Sequence, residues 1–197
     1  MQTPPRKGHA LGDRTSHRRL WLTVAASVAI DLGSKSLAWR LLGDPAAPDA
    51  RQYDLIPHAL LLRTSANPGI VFGIDPAKDW GLGVGAGYAV VILLTLVTCA
   101  LIFYLFATTR PSQRWLHLAC GLTLAGALGN LYDRLVYQHV RDFIQITLRT
   151  GDTPLWPWTF NLADAYLVVG VIALALAYLF GVVGTDEGSR RGRKRAG

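Results

Sequence analysis

"GNLYDRLVYQHVRDFIQI", residues 129–146, sets Asp133, Arg134, Arg141 and Asp142 beside segments that are otherwise apolar enough for lipid. Charges held at a bilayer are costly unless they pair or do chemistry. The stretch reads as the end of one hydrophobic helix and the loop that leads to the next.

The flanks support that reading. The 197-residue chain is 51% hydrophobic and 17% charged, more apolar than a soluble domain of its size. Four segments, 20–42, 84–107, 115–131 and 165–184, have or approach the length and apolarity of a bilayer span. The expected fold is a mainly α membrane protein with four transmembrane helices. Arg18 and Arg19 before "LWLTVAASVA" also fit a cleaved secretory signal, but three later spans favour a retained anchor.

Residues 43–83 are broken by "GDPAAPD", "NPG" and "IDP" around short apolar pieces, which predicts a small exterior β-rich element between helices one and two. "GLGVGAG" at 81–87 lacks the full G-x-G-x-x-G spacing and leads into a span, so it suits close helix packing better than phosphate binding. Polar, basic residues at 1–19 and 185–197 read as tails around one membrane domain at 20–184.

Loop charge orients the spans. Twelve basic residues fall in the N-terminal arm, the turn holding Arg110 and Arg114, and the "RRGRKR" tail, against six in the other two loops. Both termini are therefore expected in the cytoplasm, with residues 129–146 ending at the exterior face. The net charge of +7 sits largely in the tails, where membrane lipids are sufficient partners, and no nucleic-acid-binding pattern accompanies it. Cys99 and Cys120 lie within spans as small apolar side chains, with no metal-ligand spacing to the histidines. No metal or cofactor is expected.

Two pairs of charged residues call for an explanation. Asp31 and Lys35, four residues apart in the first span, share a helix face and can neutralise each other, or Lys35 can meet a substrate or lipid group. Asp142 and Asp164 both fall at the exterior membrane surface. Two carboxylates brought close share a proton, one serving as base and the other as acid, as in an aspartic hydrolase. Equally, Asp142 can be a solvated residue beside Arg141, with Asp164 capping the last helix. Spacing alone leaves both readings open.

Five segments together decide more: "DLGSK" at 31–35, "NPGIVFG" at 67–73, "GALGNLYDR" at 126–134, "VRDFI" at 140–144 and "FNLADAYLVVG" at 160–170. In order and topology the chain from 20 to 184 resembles the lipoprotein signal peptidases, four-span membrane aspartic proteases. The resemblance implies that Asp142 and Asp164 are the catalytic dyad, and that Asn67, Asn130, Asp133, Arg134 and Asn161 surround it. Asp31 and Lys35 join them through "DLGSK". It further implies cleavage of lipid-modified prolipoproteins before a diacylglyceryl cysteine, in a bacterial cytoplasmic membrane, by a monomer.

Arg134 is expected to bind Asp133 or backbone carbonyls and so hold the end of span three. The tryptophans of "WPW" at 156–158 suit the membrane interface bordering the site. Leu32, Ile70, Val71 and Gln138 depart from the family pattern, and Gln138 removes a residue free to take positive φ. Two other classes fit parts of the sequence: a noncatalytic relative that binds signal helices, and a small ion-coupled transporter using the intramembrane charges. The absence of paired broken helices weighs against a transporter.

Overall fold

A computed structural model describes residues 8–69, 74–151 and 153–180. Helix α1 (Arg14–Leu42) begins where the Asp13 side chain accepts the Ser16 N–H at 2.7 Å, and it ends at Gly43, whose φ is +86°. A side-chain cap and a left-handed glycine are the usual bounds of a helix. The start lies six residues before the expected span. Part of the arm expected to be a tail is therefore folded: Ala10–Gly12 form a 3-10 turn, and the Ala10 N–H donates to Thr109 O at 2.8 Å.

Helices α3 (Gly83–Thr108), α4 (Arg114–Tyr137) and α5 (Leu162–Leu179) complete the bundle, with the short α2 (Pro76–Asp79) leaning on α3. Helices α1, α3 and α5 are long and apolar enough to cross a membrane. Between their polar ends these helices expose mainly apolar side chains, including Leu93, Leu96, Val97 and Leu101 on α3 and Val168, Val169, Val171 and Ile172 on α5. Faces of that kind are wetted by lipid rather than water, and the protein is a multi-pass membrane protein.

Helix α4 occupies the middle and packs against α1, α3 and α5. Its composition suits that place. Small residues let neighbours approach: a Cβ at Gly126 would run into Ala163 O, and one at Gly129 would lie 2.5 Å from Asp31 Oδ2. Polar side chains face inward, with Asn130, Asp133 and Arg134 all buried. Bundles in lipid are held by this kind of small-residue contact and by buried polar pairing.

The expected β-rich element is present and larger than the first loop alone supplies. Strands β1 (Gln52–Ile56) and β2 (Leu60–Asn67) come from that loop, while β3 (Val140–Ile146) and β6 (Thr159–Phe160) come from the connection between α4 and α5. They form one antiparallel sheet in the order β1-β2-β3-β6, with β4 (Arg149–Thr150) and β5 (Thr153–Pro154) as a separate hairpin. The β2–β3 register sets Ser65 opposite Asp142 and Asn67 opposite Val140. Phe143 packs with Ala38 and Leu42, joining sheet to bundle.

The close-packing role expected of 81–87 falls on Gly87, where a Cβ would lie 2.6 Å from the backbone N of Ala77 in α2. Cys120 is buried and Cys99 half-buried, and both are free thiols.

Candidate active site

Asn161 organises the junction of sheet and bundle. It is the N-cap of α5, and its side chain accepts the Asp164 N–H while the Asp164 carboxylate accepts the Asn161 N–H at 3.0 Å. This reciprocal cap fixes Asp164 at the helix entrance. The Asn161 amide also donates to Asp142 Oδ1 at 2.6 Å. One asparagine thereby ties together two aspartates that lie on a strand and a helix.

Other amides complete the frame. Asn67, at the end of β2, donates to Asp142 Oδ2 at 3.0 Å, and Asn130 of α4 donates to Asp164 Oδ1 at 2.8 Å. Asn161 Nδ2 also lies 3.2 Å from Asn130 Oδ1. Amides suit this place because they offer donors without adding charge. Of the two readings of Asp164, the capping role is realised, and it does not exclude the other. Asp142 is not the solvated residue of the alternative reading, being only 1% exposed.

Burial is the main reason the Asp142 carboxyl is pushed up to about 7, and the negative charge of Asp164 adds to it. The bonds from Asn67 and Asn161 and the charge of Lys35 oppose the rise. Desolvation and a like charge together outweigh two good donors. Near neutral pH the group can hold or release a proton.

Both aspartates line a cleft of about 480 Å³ between sheet and bundle. Trp156, Trp158, Phe160 and Leu167 give it an apolar wall, so the tryptophans do border the site. The described residues contain no cluster of three or more histidine, cysteine, aspartate or glutamate side chains suited to a metal ion.

Asp31, Lys35 and Asp133 sit behind the cleft, each fully buried. Lys35 Nζ lies 2.8 Å from Asp31 and 3.2 Å from Asp133, and it donates to Asn130 Oδ1 at 2.9 Å. Asp31 Oδ1 in turn accepts the Ala163 N–H at 2.9 Å. The pair neutralises itself within the bundle, as one of its two readings held.

Arg134 binds backbone rather than Asp133: Nη2 donates to Gly69 O at 2.7 Å, with a longer contact of 3.4 Å to Asn130 O. Adjacent helical residues point about 100° apart, which carries the two side chains in different directions. Besides Lys35, Asp133 pairs with Arg141 at 2.8 Å, a residue the sequence named only as a neighbour of Asp142. Its place beside Asp142 in "VRDFI" was the available signal.

Gln138 keeps a positive φ of +64° at the C-cap of α4, its N–H donating to Arg134 O at 2.9 Å. The turn is thus retained without glycine. Leu32 is half-buried on α1, while Ile70 and Val71 lie outside the described residues.

The profile of the family described as signal peptidase (SPase) II matches residues 23–180. The lipoprotein signal peptidase of Desulfitobacterium hafniense (strain DSM 10664 / DCB-2) is 34% identical over 161 residues, covering 81% of this chain and 92% of that protein. That of Pelotomaculum thermopropionicum is 30% identical over 175 residues, covering 89% and 99%. A solved bacterial membrane enzyme superposes with a TM-score of 0.65 at 26% identity, covering 84% of this chain and 90% of its own. With a family profile across most of its length and relatives matched nearly end to end, the chain belongs to the signal peptidase II family.

Proposed function

We propose that Asp142 and Asp164 are the catalytic pair of an aspartic protease that removes signal peptides from lipid-modified prolipoproteins, cutting before the diacylglyceryl cysteine. The observation that carries this reading is the meeting of the two acids in one apolar-walled cleft, framed by asparagine amides, with the Asp142 carboxyl pushed up to about 7. Cleavage of prolipoprotein signal peptides is the activity of the family to which the chain belongs.

The pair works with one shared proton. The ionised carboxylate takes a proton from a water as that water attacks the scissile carbonyl, while the protonated partner hydrogen-bonds to the carbonyl oxygen. Proton transfer to the amine then lets the carbon–nitrogen bond break. Asn67, Asn130 and Asn161 hold the carboxylates without competing charge. The aromatic and aliphatic wall suits the acyl chains and signal helix of such a substrate.

Helix α4 is the fourth span in this reading, although its inward polar residues lower its hydropathy. Both termini face the cytoplasm, and the cleft opens at the exterior face of the bacterial cytoplasmic membrane. The working unit is a monomer.

The test is cleavage of a diacylglyceryl precursor by purified protein. Asp142→Asn and Asp164→Asn should each lower kcat at least about a hundredfold, the scale of lost general acid–base catalysis. Either variant cutting at the parental rate would remove that residue from the pair. EDTA should leave the rate unchanged, since the steps use only carboxylates and water.

A further inference from the structure

Behind the cleft lie four buried charges with no direct part in those steps: Asp31 and Lys35 of α1, Asp133 of α4 and Arg141 of β3. Two acids and two bases sum to zero. Burying such a set together is far cheaper than burying it unbalanced.

Arg141 makes three bonds to one carboxylate. Its backbone N–H donates to Asp133 Oδ2 at 3.0 Å, and its Nε and Nη2 donate to Oδ1 at 3.1 and 2.8 Å. Nη1 reaches Ser36 Oγ at 3.4 Å, and the guanidinium stands 4.2 Å from the centroid of the Tyr137 ring. The clamp therefore takes hold of main chain and side chain at once. On a strand the next side chain projects to the opposite face, and the next residue is Asp142.

We propose that Arg141 is the positioning residue for Asp142: it fastens the start of β3 to α4 through Asp133 and closes a charge-neutral set behind the pair. The inference rests on Asp142 and Asp164 being the catalytic pair.

The set communicates with the pair through Lys35, whose Nζ donates to Asn130 Oδ1, the same amide that donates to Asp164. The remaining charged neighbours of Asp142 are Asp164 on α5 and Arg134 on α4. Along the cleft walls stand Arg63 of β2, Asp75 at the N-cap of α2, and Lys78 and Asp79 of α2, with Lys78 3.6 Å from Asp75. Substitution of Arg141 or Asp133 leaves all of these in place. Loss of the Arg141 charge gives the set a net negative charge, favours protons on the pair, and moves the pH–rate curve to higher pH. Loss of the Asp133 charge does the reverse.

The experiment measures kcat, KM and pH–rate curves of the full chain on a diacylglyceryl precursor. Arg141→Gln should lower kcat about tenfold or more, as expected of a small misplacement of a reacting group, and shift the curve upward by roughly half a pH unit. Asp133→Asn should shift it downward. Arg141→Lys keeps the charge but not the planar fork, so it should slow turnover without moving the curve. The double variant Arg141→Gln/Asp133→Asn buries no unbalanced charge, so it tests the clamp even if Arg141→Gln does not fold. It should be slow, with the curve back near the parent's. Parental kcat in Arg141→Lys or in the double variant would overturn the clamp, and shifts of the same sign in the two single charge variants would overturn the balance. Asp142→Asn and Asp164→Asn run alongside: if either cuts normally, the catalytic reading fails, whereas if both are inactive, a parental Arg141 variant defeats this inference alone.

Discussion

At the scale of single residues, the proposed pair makes the proton on Asp142 bear on both rate and stability. The shared proton leaves the pair as pH rises through about 7, so cleavage should fall on the alkaline side of that value, measured as kcat against pH on a substrate without titrating groups. Stability follows the same group in a definite direction. The carboxyl sits above its ordinary value of 3.8, so the folded state holds the proton more tightly than the unfolded one. Its contribution is intact below the ordinary value, is lost as pH climbs toward 7, and stays lost above it. Asp142→Asn cannot ionise, and relative to the parent it should gain stability between pH 5 and pH 8, on the order of 2 kcal/mol. Thermal unfolding in one detergent at the two pH values checks this. A variant that lost ground to the parent over that interval would contradict the burial of an ionisable pair. That the two aspartates meet was legible because "VRDFI" and "FNLAD" are specific strings. The partner of Asp133 was not, since adjacency in sequence suggested Arg134 while three-dimensional reach selected Arg141.

At the scale of elements, the helices were readable from apolar length, with α3 falling within one residue of its expected bounds at both ends. Helix α4 departs more, running to Tyr137, because its last turns exchange apolar residues for inward polar ones that a hydropathy window counts against a span. The sheet was half visible. The β1–β2 hairpin is local and falls between the turn strings "GDPAAPD" and "NPG" that bracket it, whereas the pairing of β2 with β3 joins Ser65 to Asp142 across a long stretch of chain, and no local pattern specifies it. The turn leaving α4 offers a direct measurement. Gln138 holds φ at +64° to close the helix, a conformation that costs a side-chain-bearing residue roughly 1–2 kcal/mol. Glycine relieves that strain but adds freedom to the unfolded chain worth about 0.4–1 kcal/mol. Gln138→Gly should therefore raise stability by about 0.5–1 kcal/mol, seen as a higher Tm in detergent, with cleavage altered less than twofold because Gln138 does not line the cleft. An unchanged or lower Tm would mean that the Gln138 side chain repays the strain through contacts of its own.

At the scale of the molecule, the cleft has a function only if it opens where a signal helix ends, and this makes orientation part of the chemistry. The sheet and both aspartates lie at the end of the bundle reached by the C-terminus of α1 and the N-terminus of α5, while the turn between α3 and α4 lies at the other end with the 3-10 turn at Ala10–Gly12. Charge divides in the same way: Arg110, Arg114 and the basic arm share one end, the end that the positive-inside rule assigns to the cytoplasm in the proposed orientation. Arg19 strengthens that grouping, since its guanidinium donates to Pro111 O at 2.9 Å and ties the arm to the turn. Single cysteines introduced at Ser112 and Ala46, both exposed and at opposite ends, turn this into a measurement, with Cys99 and Cys120 replaced to remove background. In intact spheroplasts a membrane-impermeant thiol reagent should label Ala46→Cys and leave Ser112→Cys untouched until the membrane is broken. Labelling of Ser112→Cys alone in intact spheroplasts would invert the protein and put the cleft on the cytoplasmic side. Labelling of both would put the two loops on one side of the membrane, so that α3, the long helix between them, would not cross it as proposed.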